Sequence, residues 1–361
     1  MADTDYIRLK KPPGENFDWS TFLIAVMLMA LGLISIYSAT YDSGMSGYFF
    51  KQLVFTGVGL AVLFTCMFLP ERWLLEYSYI FYIVIVVMLI VVLIFGTVVY
   101  GTRGWFQIGG LSVQPSEFAK LAVLLTIAQH LSRKGTNIKT FRDFGIVAGL
   151  IIVPVFLTLL EPDLGSSTVT MVLFIGILFW TGYDILILFF VASVPIVLIS
   201  SIMGTVYFVA AVVVYAIIAA LLRKRIIMTF ASIIIIFGIG YISPILISRL
   251  HPYQRDRIET FLYPDKDKLG KGYNVIQSKL AVGSGGLTGK GFLQGTQTQL
   301  RYIPKQWTDF IFCVPAEEFG FVGGALVIIL LMSLVLKAVK TAFEVGNLYF
   351  SIVSFGVGTI L

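Results

Sequence analysis

Four short stretches place ionisable side chains inside an otherwise apolar sequence. Glu117 and Lys120 stand three residues apart in Gln114-Pro115-Ser116-Glu117-Phe118-Ala119-Lys120. Pro115 suits the first turn of a helix, and the spacing puts both charges on one face, where they can neutralise each other. The pair either supports packing alone or belongs to a site. Asp163, in Glu161-Pro162-Asp163-Leu164-Gly165, either caps the next helix or points into a cavity. Arg103, in Gly101-Thr102-Arg103-Gly104-Trp105-Phe106, is either a site residue or an interfacial anchor among aromatic neighbours. Asp309 opens a late apolar run, as a helix cap or as a carboxylate free for chemistry. If that helix is continuous, Glu317 and Glu318 lie about 12 Å further along it at ~1.5 Å per residue. Charges inside a bilayer cost roughly 2.5–3.5 kcal/mol each on insertion scales, so each needs a reason to be there.

The segment from Arg249 to Thr308 is a basic connection. It carries ten Lys or Arg, among them Arg255, Arg257, Lys271, Lys279, Lys290, Arg301 and Lys305, against Asp256, Glu259, Asp265 and Asp267. That balance suits an anionic ligand or the anionic headgroups of a lipid surface. Gly283, Gly285, Gly286, Gly289, Gly291 and Gly295 lie among Gln294, Gln297 and Gln299. Glycines at this density let the backbone approach a ligand closely, which favours a site.

Helices in lipid must position these residues. The chain is 58% hydrophobic and 13% charged, with a mean hydropathy of +0.92; soluble domains carry about 25% charged residues. Apolar runs of about 17–23 residues recur, enough to cross a ~30 Å hydrocarbon core. The predicted spans are Trp19–Thr40, Phe49–Leu69, Tyr77–Phe95, Pro115–Leu131, Phe144–Leu160, Ser166–Trp180, Ile185–Ile202, Val206–Leu222, Ile226–Ile247, Phe310–Leu336 and Leu348–Leu361. This is the pattern of an all-α, polytopic transmembrane bundle. No small-residue cleavage site follows the first run, which therefore reads as a retained helix. Connections on the N-terminal side carry Arg72, then Arg133, Lys134, Lys139 and Arg142, then Arg223, Lys224 and Arg225, then Lys337 and Lys340. The positive-inside rule makes that side cytoplasmic and turns the basic connection outward; a loop of about 60 residues translocates whatever its charge. Cys66 and Cys313 fall in or beside spans and read as buried structural thiols, not as a disulfide or a thiolate metal site.

Six blocks, in order, resemble the SEDS family (shape, elongation, division, sporulation) of lipid-linked glycan polymerases. They are Gln114-Pro115-Ser116-Glu117 with Lys120, Glu161-Pro162-Asp163-Leu164-Gly165, and Gly270-Lys271-Gly272-Tyr273-Asn274-Val275-Ile276-Gln277-Ser278. Gly283-Ser284-Gly285-Gly286-Leu287-Thr288-Gly289-Lys290-Gly291, Gly295-Thr296-Gln297-Thr298-Gln299-Leu300 and Thr308-Asp309-Phe310-Ile311-Phe312 complete the set. The Gly-Thr-Gln-x-Gln-Leu block is closer to the family's rod-shape-determining branch than to its division branch. The resemblance implies a core of ten helices plus an apparent inserted pair, because residues 185–247 supply three helices where the family has one. The implied organisation is a cytoplasmic segment 1–18, six helices over 19–184, the inserted pair over 185–222, and a helix over 223–248. The outward basic loop 249–308 and C-terminal helices over 309–361 follow, the chain ending before the last family helix. Trp307 stands where the family usually has His, and Arg301 replaces a frequent Glu.

The resemblance further implies a peptidoglycan glycosyltransferase that polymerises lipid II on the outer face of the bacterial cytoplasmic membrane during cell elongation. A class B penicillin-binding protein, the elongation machinery and membrane lipids are the implied partners, with no nucleic acid. The family's essential aspartate maps to Asp309, its membrane-embedded Glu and Lys to Glu117 and Lys120, and its Pro-Asp-Leu-Gly aspartate to Asp163. Displacing undecaprenyl pyrophosphate by a sugar hydroxyl needs a base for the 4-hydroxyl proton and positive charge for the departing diphosphate. Asp309 is the expected base. Arg103, Glu117, Lys120, Asp163 and the seven named loop cations are the expected substrate-binding set, guanidinium forks being best suited to phosphate oxygens. A divalent cation, Mg or Mn, could share that work at a hard-oxygen site, with no protein ligand assigned. A single base without a partnered acid favours displacement with inversion. The rival functions are a flippase for the same precursor, whose charges would line a path from side to side, and a scaffold for the cross-linking enzyme. The candidate charges fall on the outer side by topology, which favours the enzyme.

Overall fold

Side-chain oxygens start many of the helices. In the computed structural model, which describes residues 17–41, 46–99, 102–108, 111–222, 226–248, 272–304 and 306–361, helix α1 (Trp19–Thr40) is capped by Asp18. Helices α2 (Ser46–Phe68) and α3 (Glu71–Phe95) follow. Thr140 caps α5 (Phe141–Leu160), Asp163 caps α6 (Leu164–Trp180) and Asp184 caps α7 (Ile185–Met203). Each oxygen satisfies backbone N–H groups that the first helical turn leaves without partners. Pro115 opens α4 (Pro115–Ser132) at a position where its missing N–H costs nothing. Helices α8 (Thr205–Leu221) and α9 (Ile226–Ser248) complete the central series.

Three strands between α3 and α4 were not expected from the sequence. Strands β1 (Thr97–Val99), β2 (Thr102–Ile108) and β3 (Leu111–Val113) form an antiparallel sheet in the order β1-β2-β3. The basic connection also carries helices: α10 (Tyr273–Ser284) and the single turn α11 (Thr296–Gln299). The expected span from Phe310 is corrected. Gln306 to Phe312 form turns, α12 (Cys313–Glu318) is short, and α13 (Gly320–Glu344) begins only after Phe319. Gly320 takes φ +65°, and a Cβ there would sit 2.3 Å from the Gly289 nitrogen. A close backbone contact thus ends the short helix, which no run of apolar residues could reveal. Helix α14 (Leu348–Ile360) is last.

The chain divides into two units, one of residues 1–63 with 277–337 and one of residues 64–276 with 338–361. In the first, α1 contacts α11 and α12. In the second, α4 is the central helix, packed by α3, α5, α6 and α14. Its Val123, Leu124 and Ile127 join Val147 and Ile151 of α5, Leu173 and Ile177 of α6, and Ile352 of α14 in one core. Helices α7, α8 and α9 share a separate core of Leu186, Val197, Phe208, Tyr215 and Ile236, with Phe189 stacked on Tyr215 at 5.0 Å.

Seven described helices are long and apolar enough to cross a membrane, and α6, α8 and α14 are shorter apolar helices. Their outward faces carry large apolar side chains, such as Val206, Leu221 and Ile227, which hydrocarbon rather than water can solvate. The protein is a multi-pass membrane protein. Cys313 is buried as expected, whereas Cys66 is exposed on its helix, so the expectation of two buried thiols holds for only one of them.

Candidate functional site

Three of the expected site residues meet at the starts of α4 and α6. Lys120 Nζ donates to both oxygens of Glu117 at 2.8 Å. The lysine side chain is 11% exposed and the glutamate side chain 56%, so the pair keeps a buried ammonium neutralised while one carboxylate edge stays open. Asp163 caps α6 through Oδ1, which accepts the Ser166 N–H at 3.1 Å. Its Oδ2 accepts from Gln114 Nε2 at 2.8 Å and Ser166 Oγ at 2.7 Å. Ser166 Oγ also lies 3.4 Å from Glu117 Oε1, linking the two carboxylates. Capping and site are therefore not alternatives at Asp163: one oxygen starts the helix and the other faces the network.

Glu161 was not singled out from the sequence, although it stands two residues from Asp163. Its backbone carbonyl accepts the Arg103 N–H at 3.3 Å, while the Arg103 side chain is exposed. Its carboxyl group is fully buried, and neither oxygen has a hydrogen-bond partner among the described residues. Gly104 makes that burial possible, because a Cβ at residue 104 would come within 2.7 Å of Glu161 Oε2. Burial first, and then the Asp163 charge, push the Glu161 carboxyl up to about 8.

The first unit holds a different arrangement. Glu317, expected deep in a long helix, is instead buried on short α12. It accepts Lys290 Nζ at 2.7 Å, the Gln297 N–H at 2.8 Å and the Thr298 N–H at 2.9 Å. Burial opposes its ionisation, but these donors outweigh burial and hold the carboxylate below its ordinary range. Lys290 Nζ also donates to Ser284 at 2.7 Å and Thr296 at 2.6 Å. Its three protons are thus engaged inside the protein, which argues against the expected role of Lys290 as a phosphate-binding cation. Gly289, at φ +83°, lets the same loop close on the Glu318 carbonyl, where a Cβ would fall 2.1 Å from the oxygen. Glu318 accepts the Ser38 hydroxyl and, at 3.1 Å, Gln299 Nε2.

Asp309 lies exposed in the turns before α12 and does not cap it, because Phe312 is the N-cap residue. Trp307, two residues earlier, packs its ring 5.5 Å from that of Tyr48. Lys279 is exposed on α10, and Arg301, also exposed, takes φ +59° after α11. An apolar groove of about 450 Å³ is lined by Val282, Gly283, Phe312, Gly324 and Ile328. Arg255, Arg257, Lys271 and Lys305 lie outside the described residues. Among the described residues no three His, Cys, Asp or Glu side chains are grouped to hold a metal ion.

Comparison with known proteins places this architecture. The family model described as FtsW, RodA and SpoVE, cell cycle protein, matches residues 18–230 and 184–361, two stretches that overlap within α7 to α9. The chain is 30% identical over 347 residues to the peptidoglycan glycosyltransferase MrdB of Escherichia coli K12, covering 96% of this chain and 81% of that one. It is 32% identical over 348 residues to the stage V sporulation protein E of Bacillus subtilis 168, covering 93% and 81%. Among solved structures, a chain from a study of polymerization and crosslinking by a peptidoglycan synthase complex matches with a TM-score of 0.68 and 28% identity, over 96% of this chain and 84% of that one. With the model matched across both halves and these relatives aligned over nearly its whole length, the chain belongs to the FtsW, RodA and SpoVE family of cell cycle proteins.

Proposed function

We propose that this protein is a peptidoglycan glycosyltransferase that polymerises lipid II at the outer face of the bacterial cytoplasmic membrane during elongation, beside a class B penicillin-binding protein. The names of its relatives support the reaction, and the cation bias of its connections supports the orientation. The observation that carries the reading is Asp309, an exposed carboxylate relieved of any capping duty. Asp309 takes the proton of the acceptor's 4-hydroxyl as that oxygen attacks the anomeric carbon of the donor. The C1–O bond to the diphosphate breaks and the lipid pyrophosphate leaves with its electron pair, so the centre inverts. Exposed Lys279, Arg301 and the loop arginines steady the departing diphosphate; Lys290 has no proton to spare for it. The apolar groove beside Phe312 has the chemistry to receive part of a prenyl chain.

The test is purified protein with labelled lipid II, with and without the cross-linking partner, assayed for glycan strands. Asp309→Asn is expected to fold and bind its partner normally while losing about 10²–10⁴ in rate, the usual scale of general-base loss. Near-normal strand synthesis by that variant at equal protein would remove Asp309 from the chemistry. Movement of intact lipid II across vesicles without chain growth would support the flippase instead.

A further inference from the structure

We propose that Glu161 is a positioning residue whose carboxyl must stay neutral for the Gln114–Asp163–Ser166–Glu117–Lys120 network to hold its shape. The argument begins with charge. Three carboxyl groups, Glu117, Glu161 and Asp163, gather at the start of α4 and α6, while Lys120 is the buried cation there and is already spent on Glu117. Asp163 is satisfied by Gln114, Ser166 and a helix N–H. Glu161 is fully buried with no donor to either oxygen among the described residues. A buried carboxylate without donors is too costly to remain charged, and such a group takes a proton instead.

The groups facing Glu161 reinforce this. Asp163, in the same connection, is the charged group acting on it, Gln114 is engaged by Asp163, and Arg103 on β2 contributes its backbone N–H to the Glu161 carbonyl while the residue itself is exposed. Gly104 leaves no room for the carboxyl to withdraw toward β2. Ionising Glu161 would therefore put a second negative charge beside Asp163, without donors of its own, and the available relief is for Gln114 to leave Asp163. The site would be disassembled by alkali without any change in Asp309.

The experiment has two readouts, of which only the first rests on the polymerase reading. Strand synthesis from lipid II is measured from pH 7 to 9 for the wild type and Glu161→Gln. The wild type should lose about tenfold in rate between pH 7 and 9, since the neutral fraction falls about tenfold per unit above its midpoint. Glu161→Gln, neutral at every pH, should change less than about twofold over the same range. The second readout is modification by dicyclohexylcarbodiimide, which attacks protonated carboxyls in apolar surroundings, located by mass spectrometry. Glu161 should be labelled at pH 7, and labelling should fade as pH rises beyond about 8. If the wild type makes no strand at any pH, the polymerase reading fails while the labelling profile still decides the state of Glu161. The same alkaline loss in both proteins, or a Glu161 unreactive at pH 7 while Glu161→Gln alters nothing, would overturn the proposal.

Discussion

Glu317 and Glu161 are equally buried, each with 0% exposure, and the protein keeps them by opposite means. Glu317 receives a lysine and two backbone N–H groups within 2.9 Å, so its charge is retained inside the protein. Glu161 receives none from the described residues, and in the proposal above it keeps its proton instead. Burial opposes ionisation in both, and the number of donors decides the outcome. The first arrangement makes a rigid joint between α12 and the glycine-rich loop. The second makes a joint whose integrity depends on pH.

The largest expected effect follows from removing the charge at the saturated site. Glu317→Gln leaves the Lys290 ammonium without its counter-charge and turns one acceptor into a donor facing N–H groups. Breaking a buried pair costs about 3–5 kcal/mol, and the low end applies because Lys290 keeps 25% of its side chain exposed. The midpoint of thermal unfolding in detergent should fall sharply at neutral pH. Glu161→Gln should do the reverse there. A raised carboxyl pKa stabilises the folded state in acid, and that contribution drains away as pH rises toward about 8, at about 1.4 kcal/mol per unit. Removing the group therefore removes the slope. Equal losses at both glutamates would break the comparison.

A smaller effect separates two loop lysines that look alike in sequence. Lys290→Gln should lower the unfolding midpoint with a loss of activity that tracks it, because its partners are internal. Lys279, exposed on α10, has no ion pair among the described residues. In the polymerase reading Lys279→Gln should leave the midpoint in place and raise KM about tenfold at little change in kcat, as loss of one charged contact in ground-state binding would. A matched fall in stability in both variants would return Lys279 to a structural role.

Much of this was legible in the sequence because lipid imposes a length and a pattern. Trp19–Thr40 is both the predicted span and the observed helix, and Phe95, Leu160 and Trp180 end helices as predicted. The Glu117–Lys120 pair and the Asp163 cap were also readable, since both depend on spacing along one helix. Contacts between distant segments were not. The break at Phe319 depends on Gly289 meeting Gly320, thirty-one residues apart, a contact that local composition does not encode. Lys290 read as a free cation because Glu317 was assigned to a helix that does not form as drawn. Glu161 was passed over because its burial depends on Gly104, fifty-seven residues earlier on β2. A glutamate two residues before a capping aspartate was the available signal, and it says nothing of donors.

The smallest expected effect lies at a third carboxylate, where solvent makes charge inexpensive. Asp18 caps α1 through the N–H groups of Ser20 and Thr21 at 3.0 and 3.1 Å, and meets Lys337 Nζ at 3.0 Å with 52% of its side chain exposed. The hydroxyls of Ser20 and Thr21, and then Lys337, hold it well below the usual carboxylate range. A lowered pKa stabilises the folded state above the ordinary range and loses that contribution as pH falls through it, the opposite sign to Glu161. Asp18→Ala removes cap and charge together and should cost about 1 kcal/mol at neutral pH. Asp18→Asn keeps a cap of similar quality and removes only the charge, so its cost should be roughly 0.5 kcal/mol, shrinking with added salt and in acid. Unfolding midpoints of the three proteins at two pH values and two salt concentrations separate the terms. An Asn variant as damaged as the Ala variant would mean that charge matters at this exposed end as it does at Glu317, and that donor number and burial do not jointly set what a carboxylate contributes.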